Sequence, residues 1–142
     1  MQNSLTIRPA TNEDGQSIAE IWTKCSLIAS YNDPARDLDF ARGKVNSDVI
    51  VGTINDRIVA TAMTGHDGHR GWLYYVAVDP DHRGRGFGAA IVQAGESWLR
   101  ERGVQKVMLL VRETNTEVEA FYEGIGYETI PRIIMQKWLV EP

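Results

Sequence analysis

The stretch Val76-Ala77-Val78-Asp79-Pro80-Asp81-His82-Arg83-Gly84-Arg85-Gly86-Phe87-Gly88 carries the decisive pattern. Residues 72–78 are rich in aromatic and branched side chains, which reads as a strand. Beyond the loop at residues 79–87, Ile91, Val92, Ala94, Gly95, Trp98 and Leu99 recur at helical spacing and give a long helix its apolar face. A helix N-terminus has unpaired N–H groups and a partial positive charge. Glycine permits positive φ and lets an anion reach the main chain. Arg83 and Arg85 add forked cationic donors beside it. Strand, glycine loop and helix in this order make a cradle for a pyrophosphate. The bland alternative is that the glycines only shape a turn and the arginines are solvated.

The pattern extends in both directions. Arg100 and Arg102 sit in the last turn of the helix and Gly103 ends it. Residues 106–111 read as an apolar strand buried on both faces, which makes residues 72–111 a right-handed parallel crossover. A short helix follows over residues 116–123, then closing strands over 127–130 and 133–139. Upstream, residues 49–54 and 58–64 flank the turn Asn55-Asp56, and Asp67-Gly68 turns the chain into residues 72–78, an antiparallel meander. Leu5-Thr6-Ile7-Arg8 is a first strand. Thr11 and Asp14 form a capping-box start for a helix whose inner face is Ile18, Ile21, Trp22 and Cys25. Asp33-Pro34 starts a second helix with Leu38, Ala41 and Val45 inward. The order β-α-α-β-β-β-α-β-α-β-β predicts an α/β protein, one domain over residues 1–142 with helices on a mixed sheet.

Composition narrows the function classes. The 142 residues are 43% hydrophobic and 24% charged, with a formal net charge of -4. That balance suits a globular protein and argues against a nucleic-acid partner, which demands a basic face. No apolar run approaches the roughly 20 residues of a membrane span, and the start lacks a signal-peptide pattern, so a cytoplasmic location and no membrane association are expected. The single cysteine, Cys25, excludes an internal disulfide; on a helix stripe it reads as a small hydrophobe.

The glycine spacing discriminates among phosphate ligands. Gly84, Gly86 and Ala89 satisfy a G-x-G-x-x-A dinucleotide pattern, but residues 79–83 separate them from the strand and too little chain follows for a doubly wound sheet. No Gly-Lys-Ser/Thr follows, which excludes a P-loop. Arg83-x-x-Gly86-x-Gly88 after a Val-Ala-Val strand resembles motif A of the GNAT acyltransferases. Asn115-x-x-Val118-x-x-Phe121-Tyr122-x-x-x-Gly126-Tyr127 is similar to a second motif of that family. Asn-Asp-Pro at residues 32–34, Asp-Gly-His-Arg-Gly at 67–71 and the Tyr74-Tyr75 pair also resemble a small bacterial branch, the YpeA-like proteins.

The resemblance implies a mixed, mostly antiparallel sheet splayed around acetyl-CoA, with about four helices. It implies an N-acetyltransferase that moves an acetyl group to a primary amine by direct attack in a ternary complex, with no metal. Val76, Ala77 and Val78 would meet the pantetheine arm through the main chain. The N–H groups of Arg83, Gly84, Arg85, Gly86, Phe87, Gly88 and Ala89 would hold the pyrophosphate. Asn115 would reach the cofactor arm, or serve only as an N-cap. Tyr122 would protonate the departing thiolate, or serve only in core packing.

The acceptor side is less determined. Candidates are Tyr31, Asn32 and Asp33, in the stretch ending at Asp37, and His66, Asp67 and Tyr74. Tyr74 and Tyr75 are expected on opposite sheet faces. No carboxylate in residues 72–78 offers the base that many family members place there, and Leu110 stands where the ribosomal-protein N-terminal acetyltransferases carry Glu. The acceptor is therefore expected to be a small-molecule amine, with a peptide amine as the alternative. A non-catalytic acyl-CoA sensor and a nucleotide-binding module are the competing functions. Many family members dimerise, so a homodimer fits the resemblance.

Overall fold

The computed structural model describes residues 4–142. The chain packs as two compact units, one ending at Leu109 and one beginning at Leu110. The first unit holds a five-stranded sheet of β1 (Thr6–Pro9), β2 (Ser47–Ile54), β3 (Arg57–His66), β4 (Gly71–Val78) and β5 (Val107–Met108), ordered as they occur in the chain. The first four strands pair antiparallel, and β4 pairs parallel with β5. Helices α1 (Gly15–Lys24), α2 (Pro34–Ala41) and α3 (Phe87–Arg100) belong to this unit, and α4 (Thr116–Gly124) to the second. The mixed sheet and four helices agree with the sequence reading.

Alternation along the strands divides the core. Val49 and Val51 join Ile18, Ile21, Trp22, Leu38 and Ala41 on the α1–α2 face. Ile50, Ala60 and Ala62 join Ile91 of α3 on the other. Asn55 and Asp56 both have positive φ, 50° and 64°, as a two-residue hairpin between β2 and β3 requires. On the α3 face a side chain at Gly95 would place its Cβ 2.8 Å from Leu73 Cδ2, and Thr64 Oγ1 donates to the Gly95 carbonyl at 3.1 Å. Glycine there lets the helix backbone lie against the sheet.

Several boundaries differ from expectation. Thr11 leads into a 3-10 turn, Asn12–Asp14, before α1 begins. The Asp14 carboxylate accepts from the Thr11 N–H at 2.7 Å and from both Arg8 amino groups at 2.7 and 3.0 Å. α2 starts at the expected Asp33 cap but ends at Ala41, because Arg42 is extended and Gly43 is left-handed. Val45 therefore lies past the helix and is 92% exposed rather than inward. Of residues 106–111 only Val107–Met108 is strand, and both are half-buried, not buried on two faces. Residues 127–130 and 133–139 form no strand. Their branched and aromatic side chains suit a pleated surface, but a strand also requires a hydrogen-bonded neighbour, which side-chain type does not supply.

The largest departure lies inside β4. Thr61 pairs with Ala77 while Met63 pairs with Tyr74, so Ala62 faces two residues, a β-bulge. Tyr75 has φ 50° there. Leu73 lies on the α3 face beside Gly95, so Tyr74 lies on the α1–α2 face. Tyr75 packs on that same face, stacked on Trp22 with centroids 3.8 Å apart and planes 13° from parallel. The extra residue thus turns both tyrosines to one side, contrary to the strict alternation expected. The fully buried Thr61 hydroxyl holds the distortion: it accepts from Trp22 Nε1 at 3.0 Å and donates to the Tyr75 carbonyl at 2.9 Å.

Thr61→Val preserves shape but leaves both partners unpaired. It should destabilise the protein by about 2–4 kcal/mol, read as a lowered urea midpoint. The Arg8 guanidinium holds the Asp14 carboxyl down to about 2, with the Thr11 N–H assisting against burial. A depressed carboxyl contributes stability that is present above its ordinary value and lost as pH falls through the folded value. Arg8 is partly exposed, which moderates the effect. Asp14→Asn should cost about 1–2 kcal/mol near neutrality, the deficit shrinking between pH 4 and 2 in paired unfolding curves.

Candidate functional site

β4 ends at Val78 and the chain enters a tightly pinned turn, Pro80–His82. The Asp79 side chain accepts from the Asp81 N–H at 3.0 Å, and its own N–H donates to the Val59 carbonyl at 2.8 Å. Arg83 folds back, with Nε 3.4 Å from the Val78 carbonyl and an amino group 3.5 Å from Cys25 Sγ. Cys25 caps the end of α1, half-buried against the α1–α2 core, and its thiol lies 3.4 Å from the Val78 carbonyl.

Gly84 and Gly86 then take left-handed φ values of 79° and 81°, and Gly86 is the N-cap of α3. No side chain caps that end. The first helical bond runs from the Ala90 N–H to the Gly86 carbonyl at 3.1 Å, which leaves the N–H groups of Phe87, Gly88 and Ala89 without an intrahelical acceptor. Buried Phe87 anchors the helix start, while residues 83–86 are exposed. A Cβ at Gly84 or Gly86 would meet open space, so the positive φ, rather than crowding, excludes other residues there. The loop fits a pyrophosphate: open main-chain donors, a helix dipole, and Arg83 and Arg85 beside them.

The strand before the loop has a second property. β5 pairs with β4 only at Gly71 and Trp72. On the β3 side, the Asp79 N–H bonds to Val59 and Thr61 pairs with Ala77. By the alternation of an antiparallel ladder, Ala77 directs its polar backbone groups to β3, and Val76 and Val78 direct theirs to the β5 edge. Beyond Trp72 that edge has no β5 partner, so an extended chain with amide groups can pair along it.

The acceptor candidates separate. Asp33 is an N-cap, its Oδ1 accepting from the Ala35 and Arg36 N–H groups at 3.1 and 3.3 Å. The Asn32 N–H bonds to the Ala29 carbonyl, and Tyr31 is exposed. His66 accepts from the Gly68 N–H at 3.1 Å. Asp67 accepts from the N–H groups of Arg70 and His69, which hold its carboxyl low, and from Trp72 Nε1. His66 and Asp67 lie at the β3–β4 turn, roughly 20 Å along β4 from the glycine loop at about 3.3 Å per residue.

Near the middle of β4 the bulge creates an arrangement that sequence reasoning passed over. The Tyr75 hydroxyl donates to Asp37 Oδ2 at 2.7 Å. Burial, reinforced by Asp37 and Tyr31, raises the Tyr75 phenol well above its ordinary value. Tyr74, on the same face, is also raised, by burial and then the Asp67 charge. The Tyr-Tyr doublet signalled an aromatic patch, but no sequence feature signalled a positive φ at Tyr75.

In the second unit, Asn115 caps α4, its side chain accepting from the Val118 N–H at 3.3 Å. Tyr122 is buried and meets Phe121 and Tyr127 edge-on, with centroids 5.0 and 5.4 Å away. Burial pushes its phenol up to about 12, so its proton is retained near neutrality.

Comparison with known proteins agrees with this architecture. A family model described as the Acetyltransferase (GNAT) family matches residues 15–127. An acetyltransferase of Pectobacterium atrosepticum is 39% identical over 140 residues, covering 96% of this chain and 97% of that one. An uncharacterized N-acetyltransferase of Yersinia pestis is 38% identical over 139 residues, covering 96% of each. Among solved structures, AAC(6')-Iy in complex with the bisubstrate analog CoA-S-monomethyl-acetylneamine is similar in fold with a TM-score of 0.82, at 15% identity over 97% of this chain and all of that one. A putative acetyltransferase from Agrobacterium tumefaciens has a TM-score of 0.79 at 21% identity, covering 94% and 99%. The chain belongs to the GNAT acetyltransferase family.

Proposed function

We propose that this acetyltransferase binds acetyl-CoA at the loop of residues 83–89 and passes the acetyl group directly to a small primary amine in a ternary complex. One observation carries the reading: the uncapped N-terminus of α3, entered through left-handed Gly84 and Gly86, directly follows a strand that β5 pairs only at Gly71 and Trp72. A pyrophosphate suits the first feature and an extended pantetheine amide chain suits the second. Main-chain groups of Val76 and Val78 align that arm, and the N–H groups of Phe87, Gly88 and Ala89 neutralise the phosphates. Arg83 and Arg85 supply counter-charge. Asn115 contacts the cofactor arm in this reading, a role that rests on the motif and coexists with its cap.

The neutral acceptor amine attacks the thioester carbonyl, the C–N bond forms as the C–S bond breaks, Tyr122 donates a proton to the departing thiolate, and the proton lost from the amine nitrogen passes to solvent, from which Tyr122 is reprotonated. Its raised phenol fits a donor that keeps its proton until sulfur takes it. No covalent enzyme intermediate is involved. We place the acceptor on the α1–α2 face, where Tyr31, Asn32 and Asp33 precede α2, and where Tyr74, Tyr75 and Asp37 gather around the bulge. His66 and Asp67 are weaker candidates because their hairpin lies at the other end of β4. The solved complex named for a CoA-linked acetylneamine supports a small polyamine-like acceptor.

Titration calorimetry tests the donor: acetyl-CoA should bind at least about tenfold more tightly than NAD or ATP, and no preference would overturn the reading. Gly86→Ala forces an ordinary residue into the left-handed region at a cost of about 1–2 kcal/mol, and should weaken acetyl-CoA binding about tenfold. Thiol release with polyamines, amino acids, aminoglycosides and peptides then identifies the acceptor; release with none of them would favour a sensor. Because a thiolate is already a fair leaving group, Tyr122→Phe should lower kcat about tenfold with little change in KM for acetyl-CoA.

A further inference from the structure

Asp79 lies between the two features that carry the functional reading, and neither the motif nor the reaction uses it. It is only 2% exposed, although Pro80, Asp81 and residues 83–86 of the same loop are open to water. Burying a carboxylate is costly unless hydrogen bonds and opposite charges compensate. Here they converge from separate elements. Lys24 Nζ, at the end of α1, is 3.5 Å from Oδ2, and the Arg57 guanidinium, at the start of β3, is 4.0 Å away. His82 Nδ1 lies 3.9 Å from Oδ1. Oδ1 also accepts from the Asp81 N–H, while the Asp79 carbonyl accepts from the His82 N–H at 2.8 Å. The Asp81 N–H dominates in holding this carboxyl below its ordinary value, with Lys24 and His82 assisting.

Residue 79 is thus pinned on both sides. Its N–H continues the β4 ladder into β3, and its carboxylate closes the turn from which Arg83 and the two glycines depart. Left-handed Gly84 and Gly86 have the widest conformational choice in the loop, so the direction in which the chain enters them sets where the α3 N–H groups point. Four residues separate Asp79 from Gly84, three of them in the turn it caps.

We infer that Asp79 is a positioning residue for the cofactor loop: its Oδ1 cap on the Asp81 N–H presents residues 83–88 to the pyrophosphate in their ligand-ready course. The conformational part stands on the geometry alone; the effect on acetyl-CoA rests on the function proposed above.

The test compares Asp79→Ala, which removes cap and charge, with Asp79→Asn, whose amide oxygen keeps the cap. In ligand-free protein, trypsin should cut after Arg83 and Arg85 about tenfold faster in Asp79→Ala, with no matching increase after Arg102, as expected from losing a charge-assisted hydrogen bond. Acetyl-CoA affinity by calorimetry should fall about tenfold or more, raising KM further than it lowers kcat. Asp79→Asn should restore both readouts to within about threefold of the parent. If Asp79→Ala fails to fold, Asp79→Asn, which keeps an acceptor for the Asp81 N–H, decides: cleavage or affinity about tenfold worse than the parent would overturn the inference. Parent-like cleavage and affinity in Asp79→Ala, or an Asn variant as impaired as the Ala variant, would overturn the inference. Faster cleavage of the loop in a protein whose parent does not bind acetyl-CoA would instead refute the proposed function and leave the loop assignment standing.

Discussion

The Thr61 hydroxyl, fully buried, accepts from the Trp22 indole and donates to the Tyr75 carbonyl, and much of the first unit depends on that pair of bonds. A buried hydroxyl must be paired, and so must the carbonyl that a bulge removes from its ladder. Thr61 satisfies both requirements together and ties α1 to the distorted point of β4. β4 has its parallel β5 partner at Gly71 and Trp72, ahead of that point. The same distortion brings Tyr75 onto Trp22 and within 2.7 Å of Asp37. One local irregularity thereby organises a polar aromatic face.

The glycine loop solves a different problem. Helix starts are ordinarily capped by Ser, Thr, Asp or Asn, as Asp33 caps α2 and Asn115 caps α4. α3 instead begins behind Gly86, whose φ of 81° leaves three main-chain donors unclaimed by any side chain. Leaving such donors to solvent sacrifices a cap's usual stabilisation, a cost that fits a site built to receive an anion. The compensation lies nearby, in Asp79 and the turn it closes.

Much of this was legible in the chain itself. The meander between residues 47 and 78 followed from alternating branched residues and the Asn55-Asp56 turn. α3 followed from helical periodicity after Gly86, and the Asp33-Pro34 start of α2 from cap chemistry. The end of α2 was not legible, because Leu38, Ala41 and Val45 keep helical spacing although the backbone turns at Arg42 and Gly43. The stretches at 127–130 and 133–139 resemble strands by side-chain type, yet form none. Local propensity describes what a residue tolerates, while a ladder depends on where a neighbouring edge lies.

By itself, therefore, the sequence determined the order of the main elements of the first unit, the glycine loop that opens α3 and membership of the GNAT acetyltransferases. Those are set by short-range rules of periodicity, capping and glycine conformation, and by two spaced motifs whose residues can be read along the chain. Only the tertiary structure decided that Tyr74 and Tyr75 share a face, that Asp37 meets Tyr75, and that Asp79 is buried among Lys24, Arg57 and His82. Each depends on residues tens of positions apart, or on a single extra residue in a strand. A bulge reverses the facing of every side chain beyond it while leaving the hydrophobic pattern almost unchanged.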